Sequence, residues 1–199
     1  IKSDKLNPEG VTRTPERIRL AIEELGPTFV KFGQILADRP DLVSENLRNE
    51  LKKLQSTAKP MSDAVAIELM EAELGGPITS FFEDFKETHM ASASIGQTYL
   101  GTLKGGRKVV VKIQRPNIEE KIKLDLMLLQ FLAKRAVRRY QELAALDVER
   151  IVIEFQDIIL DELNYLHEAS NQMRFKQMFE GDARVKVPDV YHEYSTEKM

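Results

Sequence analysis

Two runs rich in β-branched residues, Gln97 to Leu103 and Lys108 to Gln114, flank the tetrapeptide Lys104-Gly105-Gly106-Arg107. Adjacent glycines supply the positive backbone angles of a tight turn, so the stretch predicts an antiparallel hairpin. Arg115-Pro116 closes the second strand, because proline has no amide hydrogen for a ladder. The texture on both sides is helical. The chain therefore reads as α+β with helix in the majority.

Thr14-Pro15 predicts a helix start, after a loose polar stretch over 1–13. Gly26-Pro27 ends that helix and opens another through Asp38. Ser44 is placed to cap a third, with Leu47, Leu51 and Leu54 at i, i+4 and i+7. Ser62 caps a fourth, which Gly75-Gly76-Pro77 terminates. Ile78, Phe81, Phe82 and Phe85 form a helical apolar stripe, expected to be core. Helix resumes from Ile118 to about Tyr140, and Asp147 caps one long helix to about Glu180. Val185 to Tyr194 predicts one or two further strands. A division into a helical extension over 1–87 and a hairpin-bearing domain over 88–199 follows.

Composition bounds the function. Of 199 residues 42% are hydrophobic and 31% charged, as in a folded globular chain. A net charge of −3 gives no reason to expect nucleic acid as partner. With no cysteine, disulfides and thiolate metal sites are excluded. The three histidines, His89, His167 and His192, are too dispersed for a ligand set, so no metal held by side chains alone is expected. Apolar runs such as Leu126-Met127-Leu128-Leu129 fall far short of the roughly 20 residues of a membrane span. A cytoplasmic location is expected, with membrane association only through segments outside this sequence. The basic group Lys134, Arg135, Arg138 and Arg139 near a helix end reads as solvated surface.

Before the hairpin stands Met90-Ala91-Ser92-Ala93-Ser94-Ile95-Gly96-Gln97-Thr98. With glycine in place of two alanines, this has the G-x-G-x-x-G-x-V spacing of a kinase loop that covers nucleotide phosphates. The following strand ends Val109-Val110-Val111-Lys112, like the V-A-I-K strand whose lysine holds the α- and β-phosphates. Alanine keeps close approach but largely forfeits positive φ. A stiffer loop, helical at its start, is expected. The competing reading is that small residues merely let a helix end pack on a sheet.

A strand lysine of this kind needs an acidic partner on a neighbouring helix. Asp161 through Asn171 offers Glu162 and Glu168, and spacing does not choose between them. On the helix around Lys31, the side chains of Lys31, Gln34 and Asp38 fall within about 60° of one another. By pattern alone they are an ordinary solvated stripe.

Together these stretches resemble the UbiB family of atypical protein-kinase-like proteins. Lys31-Phe32-Gly33-Gln34 matches its K-x-G-Q motif, residues 91–98 its alanine-rich loop, Val111 to Pro116 its lysine strand, and Glu162 to Asn171 its acidic helix. The resemblance covers about residues 15 to 199. It implies a kinase-like N-lobe, a small antiparallel sheet with helices, under an N-terminal helical K-x-G-Q lid, with the C-lobe absent from this chain. It implies Glu168 as the partner of Lys112, and an E-x-D motif at Glu162 that meets Lys31 and Gln34 across the active site. Here position 164 is Asn164 where the family has aspartate, which loses charge and acceptor capacity.

The resemblance further implies ATP or ADP with Mg2+ as cofactors, bound by Met90 to Thr98, Val110 and Lys112. Most metal ligands are expected in the C-lobe. The intact protein is implied to be an atypical kinase or ATPase supporting ubiquinone or related lipid biosynthesis, with lipid or isoprenoid-pathway partners. No catalytic-loop aspartate and no D-F-G occurs here, so this chain alone is expected to be inactive. A nucleotide-responsive pseudokinase scaffold is the alternative.

Overall fold

The computed structural model describes residues 14–55, 59–140 and 146–199, which leaves the stretch 1–13 outside it. The chain divides into two compact units, Ile1–Ser56 and Thr57–Met199. This differs from the expected grouping of 1–87, because residues 63–85 belong with the sheet.

The first unit holds α1 (Thr14–Leu25), α2 (Pro27–Ala37) and α3 (Glu45–Leu51). Pro27 opens α2 directly after α1 ends, and the Ser44 hydroxyl accepts from Leu47 N at 3.4 Å to cap α3. The expected leucine stripe is its core: Leu51 and Leu54 are buried with Val30 and Ala37, and Leu47, Ile22 and Leu36 pack around them.

The second unit runs α4 (Asp63–Leu74), α5 (Ile78–Phe81), β1 (Phe82–Phe85), β2 (Ala91–Ser92), β3 (Gly96–Leu103), β4 (Lys108–Gln114), α6 (Ile118–Arg139), α7 (Val148–Asp161) and α8 (Tyr165–Met178). β3 is central and every pairing is antiparallel. β4 pairs along its whole length, β1 meets Gly101–Leu103, and β2 meets Gln97–Thr98. The hairpin turn is as expected, with Gly105 at φ 101° and Gly106 at φ 80°. Strand alternation sends Tyr99, Leu103, Val111 and Ile113 to one face, where they form a core with Ala66 and Met70 of α4 and with Ile78 and Phe82. Each such fully buried large apolar side chain is worth roughly 1.5–3 kcal/mol.

Four expectations are corrected. The Phe81-Phe82-Phe85 stripe is core, but only Ile78–Phe81 is helical; Phe82–Phe85 is a strand, drawn out by pairing with β3. The single helix from Asp147 to Glu180 is two, broken at 162–164. There the Asn164 side chain accepts from Leu166 N at 2.9 Å, and Tyr165 N donates to Glu197 O at 2.9 Å instead of continuing a helix. Asp147 stands at the start of α7 in a left-handed conformation without a side-chain cap. Finally, 185–194 forms no strand; its one regular element is a 3-10 turn, His192–Tyr194.

α6 buries Ile118, Ile122, Leu126, Leu129 and Ala133, and α7 buries Val152, Phe155 and Ile159. The two helices pack on one another.

Candidate functional site

The sheet face opposite the α4 core carries Lys112. Register sets Thr98 across from Lys112 and Leu100 across from Val110, so these four share that face. Leu100 and Val110 are exposed, and this apolar patch lies between Lys112 and the exposed Lys108, which register places on the same face opposite Thr102.

Lys112 Nζ lies 2.5 Å from Glu168 Oε2 on the first turn of α8. It also stands 4.6 Å from the ring centre of Tyr165, a cation–π contact. Both charged side chains are about half exposed, 42% and 56%, so the pair adds little to stability and remains open to a ligand. Tyr165 is buried, and its hydroxyl makes no hydrogen bond with a described residue. Burial, with the carboxylates of Glu168 and Glu162, pushes that phenol well above its ordinary range.

The alanine-rich loop is a tight hairpin, not helical at its start as expected. Ala91 and Ser92 pair with Thr98 and Gln97, and Ala93 N donates to Gly96 O at 2.8 Å. Among described non-glycine residues only Asn117 and Asp147 have positive φ, so neither Ala91 nor Ala93 needs glycine. Gly96 needs it for space: a β-carbon there would stand 2.4 Å from Ile113 O and 2.6 Å from Tyr165 Oη. Strand, loop and α8 therefore meet at one point.

Two residues that sequence reasoning did not assign to the site hold this junction. Arg115 Nε donates to Ala93 O at 3.1 Å and its Nη2 to Ser92 Oγ at 2.8 Å, which fixes the loop to the end of β4. Its burial lowers the guanidinium's proton affinity. Buried Gln114 donates from Nε2 to Leu163 O and, at 3.1 Å, to Glu197 O. Both residues stand in the quoted Val111-to-Pro116 stretch, where their polarity beside an apolar strand was the available signal.

The other expected residues fall as follows. Met90 is exposed, Ile95 and Gln97 are buried, and Ser94 and Thr98 are half-buried. The Gln97 side chain is turned into the core face, where it accepts from Met61 N and donates to Tyr99 Oη at 2.8 Å. Tyr99 in turn donates to Asp63 Oδ1 at 2.8 Å, which His89 Nδ1 also contacts at 2.8 Å. That network fastens the start of the loop to α4. Tyr99 is pushed up to about 12, mainly by burial, and the Asp63 carboxyl is held below its ordinary range, chiefly by the Tyr99 hydroxyl.

Glu162 is half-buried in the turn between α7 and α8, not on the helix of Glu168. Asn164 caps α8, and its Nδ2 reaches Glu197 Oε1 at 3.4 Å. On α2 of the first unit, Lys31 is half-buried and Gln34 Nε2 donates to Leu54 O at 3.1 Å.

The exposed apolar strands and the Lys112 ammonium suit a nucleotide: the strands for a base, the charge for phosphate. Among the described residues no group of three or more His, Asp or Glu is gathered as a metal site. A magnesium ion commonly takes one or two carboxylates plus substrate phosphates, so the donors here fit it only in part.

Comparison with known proteins identifies the family. Residues 53–199 match the model of the ABC1 atypical kinase-like domain. The chain is 40% identical over 185 residues to a probable protein kinase UbiB of Photobacterium profundum and 43% over 184 residues to that of Aeromonas salmonicida. Each match covers 92% of this chain and 34% of the relative, so the chain spans about a third of the length of the curated relatives it matches. A solved structure of the Rv3197–erythromycin complex from Mycobacterium tuberculosis aligns with TM-score 0.56 and 29% identity, over 90% of this chain and 41% of that one. No described helix is long and apolar enough to cross a membrane. The sheet, its lysine and the sequence matches together place the chain in the UbiB-like family of ABC1 atypical kinase-like domains.

Proposed function

We propose that this chain is the nucleotide-binding N-lobe of a UbiB-type atypical kinase or ATPase, and that the intact protein acts in isoprenoid-quinone or related lipid biosynthesis. The observation that carries the nucleotide reading is the Lys112–Glu168 pair at 2.5 Å, half exposed beside the loop that Arg115 fixes. In this reading Glu168 and the Tyr165 ring hold the Lys112 ammonium toward the α- and β-phosphates. The amides of the alanine-rich loop face phosphate oxygens, and Leu100 and Val110 cover the base. ATP with Mg2+, when bound, supplies the transferable phosphoryl group, and the ion's remaining ligands come from beyond these residues. Lys31 and Gln34 enter the reading through the K-x-G-Q resemblance.

Binding of ATP and ADP to the intact protein, measured by calorimetry with and without magnesium, tests this. Lys112→Ala is expected to abolish most of the affinity while the melting temperature holds; unchanged affinity removes Lys112 from the site. A scaffold that binds nucleotide without transferring phosphoryl is the second reading. The uncharged Asn164, whose carbonyl oxygen is committed to Leu166 N, favours it. Release of phosphate on turnover separates the two.

A further inference from the structure

Thr98 stands where the G-x-G-x-x-G-x-V spacing has valine. The two side chains have nearly the same shape, and threonine adds one hydroxyl. In this strand the hydroxyl is nearly unspent. Among the described residues its one hydrogen bond is to Ala91 O at 3.5 Å, the outer limit of such a contact. Yet Thr98 is half-buried on the sheet face of Leu100 and Val110, and a hydroxyl drawn from water without a good partner costs free energy.

The ladder brings Thr98 close to Lys112. Leu103 N donates to Arg107 O and Arg115 N to Ile95 O, so odd-numbered residues of β3 and β4 make the hydrogen-bonded pairs. Thr98 and Lys112, in register, form a pair of the other kind. In such pairs the Cα atoms approach to about 4.5 Å and the side chains lie closest. The Lys112 ammonium can only donate, and Glu168 and the Tyr165 ring hold it in place. The Thr98 hydroxyl makes a second donor beside it. Two such donors converge on a group that only accepts, and a phosphoryl oxygen is one.

β3 carries its own control. Thr102 repeats the arrangement opposite Lys108, four residues along β4 from Lys112. The preference of strands for β-branched residues accounts for both threonines equally. A ligand held by Lys112 concerns Thr98 alone.

We propose that Thr98 is a specificity-determining residue of the nucleotide site, whose hydroxyl donates to the phosphoryl group that Lys112 holds. The site then tells phosphorylated from unphosphorylated ligands with two donors, where a loop ending in valine has one. This inference rests on the nucleotide reading above.

Thr98→Val, Thr98→Ser and Thr102→Val in the intact protein are compared by calorimetry with ADP and by thermal melts. Thr98→Val should bind ADP about tenfold more weakly at unchanged melting temperature, because shape and strand preference are kept. Thr98→Ser, which retains the hydroxyl, should stay within about threefold of the parent, and Thr102→Val should equal it. Adenosine, which has no phosphate, competes against a fluorescent ADP analogue, and its inhibition constant should be the same for the parent and Thr98→Val. Unchanged ADP affinity in Thr98→Val, or an equal loss in Thr102→Val, overturns the proposal. A serine variant as weak as the valine one assigns the effect to packing and does the same. So does a loss for adenosine as large as that for ADP, which puts the hydroxyl on base or ribose. If Lys112→Ala weakens ADP binding and Thr98→Val does not, this inference alone falls; if neither does, the nucleotide reading falls with it.

Discussion

Lys112 and Glu168 are 56 positions apart in sequence and 2.5 Å apart in space, joined across a strand and the first turn of a helix. Because both are half exposed, losing the contact should cost the fold little. Its weight is expected in ligand binding. Lys112→Ala should lower MgATP affinity about ten- to a hundredfold, the loss of a charge-assisted bond of about 1.5–3 kcal/mol, with a nearly unchanged melting temperature. Glu168→Gln should weaken binding less, since Tyr165 still lies beneath the ammonium. Calorimetry beside thermal melts checks both.

Gly96→Ala is expected to destabilise the second unit by about 1–3 kcal/mol through overpacking. The added carbon would meet a backbone carbonyl, Ile113 O, at 2.4 Å, and strand pairing gives that atom no room to retreat. Ala93→Gly changes no such contact and should melt within about 1 kcal/mol of the parent, lowered only by backbone entropy. Urea unfolding of the two variants provides the comparison.

The Asp63–Tyr99–His89 network predicts a pH signature. The Asp63 carboxyl is held below its ordinary range, chiefly by the Tyr99 hydroxyl. Its contribution is therefore present above about pH 4, the unfolded value, and is lost as pH falls through the lower folded value. Asp63→Asn should be less stable at pH 7, and the gap to the parent should narrow toward pH 3. Tyr99, raised to about 12, works in the other direction. Its contribution is complete below about pH 10 and fades as pH rises toward the folded value. Tyr99→Phe should be destabilised near neutrality and lose less than the parent between about pH 10 and 12, as followed by denaturant midpoints.

Asn164 supplies a prediction that separates cap from charge. Its side chain closes the first turn of α8, so Asn164→Ala should cost about 1 kcal/mol. Asn164→Asp keeps an acceptor at the N-terminus and should equal or slightly exceed the parent. A large loss in the aspartate variant would mean that the amide's approach to Glu197 at 3.4 Å is what matters.

What sequence could disclose followed from how local each signal is. The hairpin was legible because two adjacent glycines specify a turn without help from the rest of the chain. The first three helices were legible for the same reason, through Pro15, Pro27 and the Ser44 cap. Lys112 was legible from its place among valines, but its partner was not, since spacing left Glu162 and Glu168 equal until the family likeness separated them. The break at 162–164 escaped because it depends on Glu197 O, a distant acceptor that holds Tyr165 N. The β1 strand escaped similarly: Phe81, Phe82 and Phe85 satisfy a helical period, and only β3 overrides it. Arg115 read as the end of a strand until the folded loop gave its guanidinium two oxygens.

The carbonyls of Glu197 and Lys198 accept from Gln114 and Tyr165: Lys198 O from Gln114 N at 3.0 Å, and Glu197 O from Gln114 Nε2 and Tyr165 N. One strip of main chain is thus sewn to the strand that bears the ammonium and to the helix that bears the carboxylate. Glu197 O is the rivet common to both, so a pull on that seam is felt by the strand of Lys112 and the helix of Glu168 together.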